Sequence, residues 1–110
     1  MTNNSIIMCV DDDSTVLNAL RSMLSSHFGP ELQVEFAESG EEALEIEAEL
    51  REQGRELGLV ISDFMMPGLR GDELLVKLHE KSPNTIKILL TGQSDMSGSI
   101  HVYLSDSYSI

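Results

Sequence analysis

The chain has no tryptophan, one cysteine, three prolines and seven lysine or arginine residues among its 110. With only three Phe and two Tyr, a core must be built from aliphatic and methionine side chains rather than aromatic plates. A single Cys9 excludes an internal disulfide, and its place in the run Ile6-Ile7-Met8-Cys9-Val10 suits a small buried hydrophobe in a reducing compartment. Against 19 Asp and Glu the few cations leave a net charge of -12, which repels phosphate backbones and anionic lipid and argues against nucleic acid or a membrane surface as direct partner. Apolar runs stop at roughly five residues, far short of the roughly twenty needed to span a bilayer, and no signal peptide is visible, so a cytoplasmic location is expected. The length fits one domain over residues 1–110 with a single core.

What is present is an alternation of two periods. Ile6 to Val10 is a continuous apolar run, the pattern of a strand covered on both faces. From Asp13 the spacing becomes helical through Val16, Leu17, Leu20, Met23, Leu24 and Phe28, with Asp13 or Ser14 as N-cap and Gly29-Pro30 as terminator. Gln33 to Ala37 alternates as a strand near an edge. Ser39 and Glu42 form a capping-box pattern that opens a helix through Ala43, Ile46 and Leu50, with Leu57 as its far limit. Leu59 to Ser62 reads as a buried strand, Asp72 to Lys81 as a short helix, and Ile86 to Leu90 as a fourth strand. Such alternation predicts an α/β domain, a doubly wound parallel sheet with helices on both faces and right-handed crossovers.

In such sheets ligands bind beyond the carboxyl ends of the strands, where the strand order reverses. Asp11, Asp12 and Asp13 follow the first strand, Asp63 the third and Thr91 the fourth. If the first and third strands are neighbours, several carboxylates converge, and a hard divalent cation such as Mg2+ would relieve their repulsion. The alternative is that Asp11 to Asp13 only cap the first helix in water.

The segments "IIMCVDDDST", "VISDFMMPGLRGDELL" and "ILLTG", in this order at strand ends, resemble the receiver domain of two-component response regulators over roughly residues 5 to 95. That resemblance implies a flavodoxin-like three-layer sandwich and a phosphoacceptor module, not an enzyme in its own right, served by a sensor histidine kinase or phosphotransfer protein. It further implies that Asp63 accepts the phosphoryl group, that Asp12 ligates Mg2+ directly and Asp11 largely through water, and that the Met65 carbonyl supplies another ligand. Thr91 would hydrogen-bond the phosphoryl oxygen. The physical logic agrees: a carboxylate attacks phosphorus only when the incoming charge is neutralised, and the product is a larger anion able to draw in a nearby hydroxyl.

Receivers usually carry a Lys on a fifth strand, then a fifth helix; here the last Lys is Lys87, inside the fourth strand. Residues 95–110 therefore form an atypical tail. Either Gln93 to Val102 is the fourth helix and the fifth strand is absent, or "VYLSDSY" places Tyr103 at an aromatic position and Asp106 where Lys is expected. A domain lacking the usual fifth strand and helix would leave the edge of the fourth strand open, which predicts a homodimer or a tail-swapped dimer.

Two other readings stand beside this one. Asp11-Asp12-Asp13-Ser14-Thr15 also satisfies the D-x-D-x-T pattern of haloacid-dehalogenase-like phosphatases, with Asp11 as nucleophile and Thr91 assisting, though it gives Asp63 no role. A binding module that has lost its switch is the third. His27, His79 and His101 have no ligand-spaced partner and read as surface or helix-end residues, Met65 and Met66 equally as a gate to the pocket or as loop packing, and Gly68 and Gly71 as bends.

Overall fold

The computed structural model describes residues 5–90 and 100–103. The elements in chain order are β1 (Ser5–Val10), α1 (Ser14–Phe28), β2 (Val34–Ala37), α2 (Gly40–Glu52), β3 (Glu56–Asp63), α3 (Gly71–Lys81), β4 (Ile86–Leu90) and β5 (Ile100–Tyr103). The sheet order is β2-β1-β3-β4-β5, parallel from β2 to β4, with β2 at the edge its wetter pattern predicted. The flavodoxin-like receiver fold is thus present in its parallel part.

Each helix begins and ends where its chemistry directs. The Asp13 carboxylate accepts from the Thr15 amide at 2.9 Å and caps α1, settling the choice between Asp13 and Ser14. Ser39 Oγ accepts from the Glu42 amide at 3.0 Å, while Glu42 reaches back to the Glu38 amide at 2.8 Å, one residue beyond the expected box. The second helix does not continue to Leu57. Gly54 turns at φ 71, its amide meets the Arg51 carbonyl and the Arg55 amide meets the Leu50 carbonyl, a Schellman ending that frees Leu57 to be the buried second residue of β3. α3 starts at Gly71, one residue before the expected Asp72, and the Glu73 carboxylate closes the turn by accepting from the Arg70 amide at 3.0 Å.

One core cluster gathers Ile6, Met8 and Val10 of β1, Leu57 and Val60 of β3 and Leu89 of β4 under Ala43 and Leu50 of α2 and Leu74, Leu75 and Leu78 of α3. It is aliphatic and methionine-rich, as the lack of aromatics required. α1 touches β1 and, by the right-handed crossover rule, lies on the other face. Cys9 is fully buried, and burial pushes its thiol up to about 11, so it is an inert packing residue.

The tail corrects one expectation. β4 is not left open: β5 pairs with it antiparallel, Leu90 opposite Ile100 and Lys87 opposite Tyr103. A helix over Gln93 to Val102 is therefore wrong for Ile100 to Val102. The premise for pairing of two chains along β4 falls with the open edge. The usual parallel fifth strand has no counterpart among the described residues. Thr91, Asp95 and Asp106 lie outside them.

Glu47 is a charged residue inside this frame, 2% exposed, with Arg51 donating to both of its oxygens at 3.1 and 3.0 Å and Ser82 Oγ donating at 2.7 Å, so that α2 is tied to the end of α3. Burial pushes its carboxyl up, but the bonds from Arg51 and Ser82 outweigh that and hold it below its ordinary value of 4.5. A folded value below the unfolded one means the contribution is complete above pH 4.5 and lost as pH falls through the folded value. Glu47→Gln should cost about 1–3 kcal/mol at neutral pH. The gap to wild type should narrow in acid, checked by urea unfolding at about pH 7 and about pH 3. An equal gap at both would contradict the pairing.

Candidate functional site

β1 and β3 are neighbours with Val10 level with Ser62, so the next residue on each strand, Asp11 and Asp63, leaves the sheet side by side. This is also the point where the order reverses, since the chain runs from β1 outward to β2 and returns past it to β3. Carboxylate oxygens of Asp11, Asp12 and Asp63 lie within 4.8 Å of one another. The strand-end convergence expected from sequence is therefore present for these three. Asp13 is elsewhere, capping α1.

The three differ in setting. Asp11 is 7% exposed and one of its oxygens accepts from the Asp13 amide at 2.9 Å, which makes it a fixed acceptor and a poor nucleophile. Asp12 is exposed and Asp63 half-buried. Burial raises the Asp11 carboxyl above its ordinary value in spite of that amide, and the charges of Asp12 and Asp13 add to the rise. Burial first, then the charges of Asp11 and Asp12, raise Asp63, with the Phe64 amide giving back only part. No cation among the described residues is an ion-pair partner of the cluster. Crowded, uncompensated oxygen ligands of this kind fit a hard divalent ion such as Mg2+.

The loop after Asp63 is tightly held. The Phe64 amide donates to the Leu90 carbonyl at 3.0 Å, prolonging the β3–β4 ladder past the acceptor, and the Gly71 amide donates to the Phe64 carbonyl at 3.0 Å, closing the loop on itself. Gly68 takes φ 77, and Leu69 rests on Gly40 at the start of α2. Gly71 was read as a bend; the structure gives it a different task, since its α-carbon packs directly on the Asp63 carbonyl. Met66 is buried, whereas Met65, two residues after Asp63, is 55% exposed. Arg70, given no part in the site by the sequence, lies over the Phe64 ring at 5.5 Å and pairs with Asp72 at 2.9 Å.

Lys87 does not approach the site. It is buried with Nζ donating to the Thr85 carbonyl at 2.5 Å and beside His79 Nδ1 at 3.2 Å, and burial lowers its pKa. Cavities of about 310 and 500 Å3 open at the amino ends of the strands, the first lined by Glu47, Arg51 and Thr85, the second by Ile7, Phe28 and Leu59. No helix among the described residues is long and apolar enough to cross a membrane.

A doubly wound sheet with three acids at its switch point defines a class, the phosphoacceptor modules of two-component signalling. The chain belongs to the response regulator receiver domain family, which it matches over residues 7–106. It is 32% identical over 91 residues to the sensor kinase CckA of Brucella abortus, covering 83% of this chain and 9% of that protein. It is 29% identical over 103 residues to the DNA-binding transcriptional regulator NtrC of Escherichia coli K12, covering 94% of this chain and 20% of that one. The chain thus spans a fifth or less of these curated relatives. Among solved structures, the signal receiver domain of an HD domain-containing protein from Pseudomonas fluorescens Pf-5 superposes with a TM-score of 0.71 at 33% identity, covering 86% of this chain and 69% of that one. The receiver domain of nitrogen regulatory protein C gives 0.66 at 30%, covering 86% and 70%. The family is one of phosphoacceptor signalling domains that typically use Mg2+, and nothing in these likenesses favours the phosphatase reading.

Proposed function

We propose that Asp63 is the phosphoacceptor and that Asp11, Asp12, Asp63 and the Met65 carbonyl hold Mg2+. The observation that carries this is the uncompensated cluster: three carboxylates within 4.8 Å, of which Asp11 is buried and hydrogen-bonded and Asp63 stands at the strand end. A sensor histidine kinase or phosphotransfer protein would present a phosphohistidine. An Asp63 oxygen forms the new bond to phosphorus as the P–N bond breaks, and its electron pair returns to the imidazole ring. The ion, when bound, supplies positive charge to the phosphoryl oxygens. The chain's own part is to hold the acceptor rigidly: β3 is paired on both sides, and the ladder runs on to Phe64. Thr91 follows β4 directly and would bond the phosphoryl oxygen once Asp63 is modified. A location in the cytoplasm, where such kinases deliver phosphate, completes the reading.

Incubation with a small phosphoryl donor tests it. Wild type should incorporate phosphate in the presence of Mg2+, and Asp63→Asn should fall to background. Labelling of Asp63→Asn at the wild-type rate would refute the assignment.

A further inference from the structure

We infer that Arg70 is the cation that meets the phosphoryl group on Asp63, leaving its pair with Asp72 to do so; this rests on Asp63 being the acceptor. The need is visible in the site. Three carboxylates crowd together with no cation paired to them among the described residues, and phosphorylation adds further negative charge.

The other Lys and Arg residues are bonded or placed elsewhere in the fold. Arg21 lies over the Phe36 ring at 4.1 Å, Arg51 is bound to Glu47, Arg55 donates to Gln33 at 2.7 Å, and Lys87 is buried on backbone carbonyls. Lys77 and Lys81 lie on the second half of α3, with Lys81 lining the cavity at the amino ends of the strands. Arg70 alone is carried on the loop that leaves the acceptor.

That loop brings it back. The Gly71 amide is bonded to the Phe64 carbonyl and the Gly71 α-carbon rests on the Asp63 carbonyl, so the backbone of Arg70 is fixed one residue from the acceptor's own. The guanidinium already lies above the ring of Phe64, the residue that follows Asp63. Its present partner is within reach of solvent: the forked pair with Asp72, Nε to Oδ1 at 3.1 Å and Nη2 to Oδ2 at 2.9 Å, is half exposed on the arginine side, where water and salt screen it. A phosphoryl dianion offers the same fork-shaped contact with more charge. Arginine's long, rotatable side chain can turn about Phe64 from one anion to the other while the backbone stays held by Glu73.

Beryllofluoride, which mimics a phosphoryl group on a carboxylate, tests this at saturating Mg2+ on the full chain. Arg70→Ala should weaken its binding about tenfold, Arg70→Lys should recover part of the loss as a point charge without the fork, and Asp72→Asn should tighten binding by freeing the arginine. The Nε–H resonance of Arg70 should move when the adduct forms, and the melting temperature of Arg70→Ala without ligand should match wild type. Wild-type affinity in Arg70→Ala, or an Nε–H resonance that does not move, would overturn the inference while leaving Asp63 as acceptor. An adduct that fails to form on wild type, or that forms equally on Asp63→Asn, would overturn both.

Discussion

Gly71→Ala should lower the melting temperature by about 10 °C or more and displace the acceptor, the largest effect expected of any single methyl group in this domain. A β-carbon at position 71 would overlap the Asp63 carbonyl and lie 2.9 Å from the Leu89 Cδ1 atom. Neither neighbour can give way cheaply. The carbonyl belongs to the last residue of a strand paired on both sides, and Leu89 is a core residue with 3% exposure. Overpacking of this sort costs about 3 kcal/mol, and here the strain lands on the residue that must face the donor. Thermal unfolding with and without Mg2+, alongside phosphate incorporation, checks both parts. A variant that melts and accepts phosphate like wild type would show that the loop can open without disturbing the strand end.

Mg2+ should stabilise wild type strongly, by about 2.7 kcal/mol when present at a hundred times its dissociation constant. Asp63→Asn should reverse the usual sense of a functional-site substitution. Without metal it should melt above wild type, because it removes a carboxylate that burial, and then the charges of Asp11 and Asp12, disfavour. With metal it should gain much less than wild type. Melting curves of the two proteins in chelator and in millimolar Mg2+ would therefore cross. Parallel shifts in both proteins would mean that the ion binds elsewhere.

The parts legible in the sequence were those set by local pattern. β4 was readable to the residue because Ile86 to Leu90 is bounded by Pro83-Asn84 and Thr91-Gly92, and α1 because Val16 to Phe28 keeps a helical period up to Gly29, although its cap stayed open between Asp13 and Ser14. Asp11 and Asp63 could be singled out because each directly follows a buried run, although their meeting depends on a β1–β3 register that no local pattern contains. The start of β3 was missed at Glu56 to Gly58, where Gly58 is the extra residue of a bulge against Ile6 and Ile7 and interrupts the apolar run. β5 was missed because a four-residue strand acquires its identity from its antiparallel partner, which no local pattern contains. Gly71 was legible only as a bend, and Arg70 not as a residue of the site. A close approach of backbone to backbone, and a guanidinium lying over a ring, exist only once the loop has closed.

The most direct measurement is the position of the acyl phosphate itself. After phosphorylation in Mg2+, borohydride reduction converts the modified aspartate to homoserine, and peptide mass spectrometry then locates it. The account expects homoserine at position 63 and nowhere else; homoserine at position 11 or 12, with 63 unmodified, would contradict it.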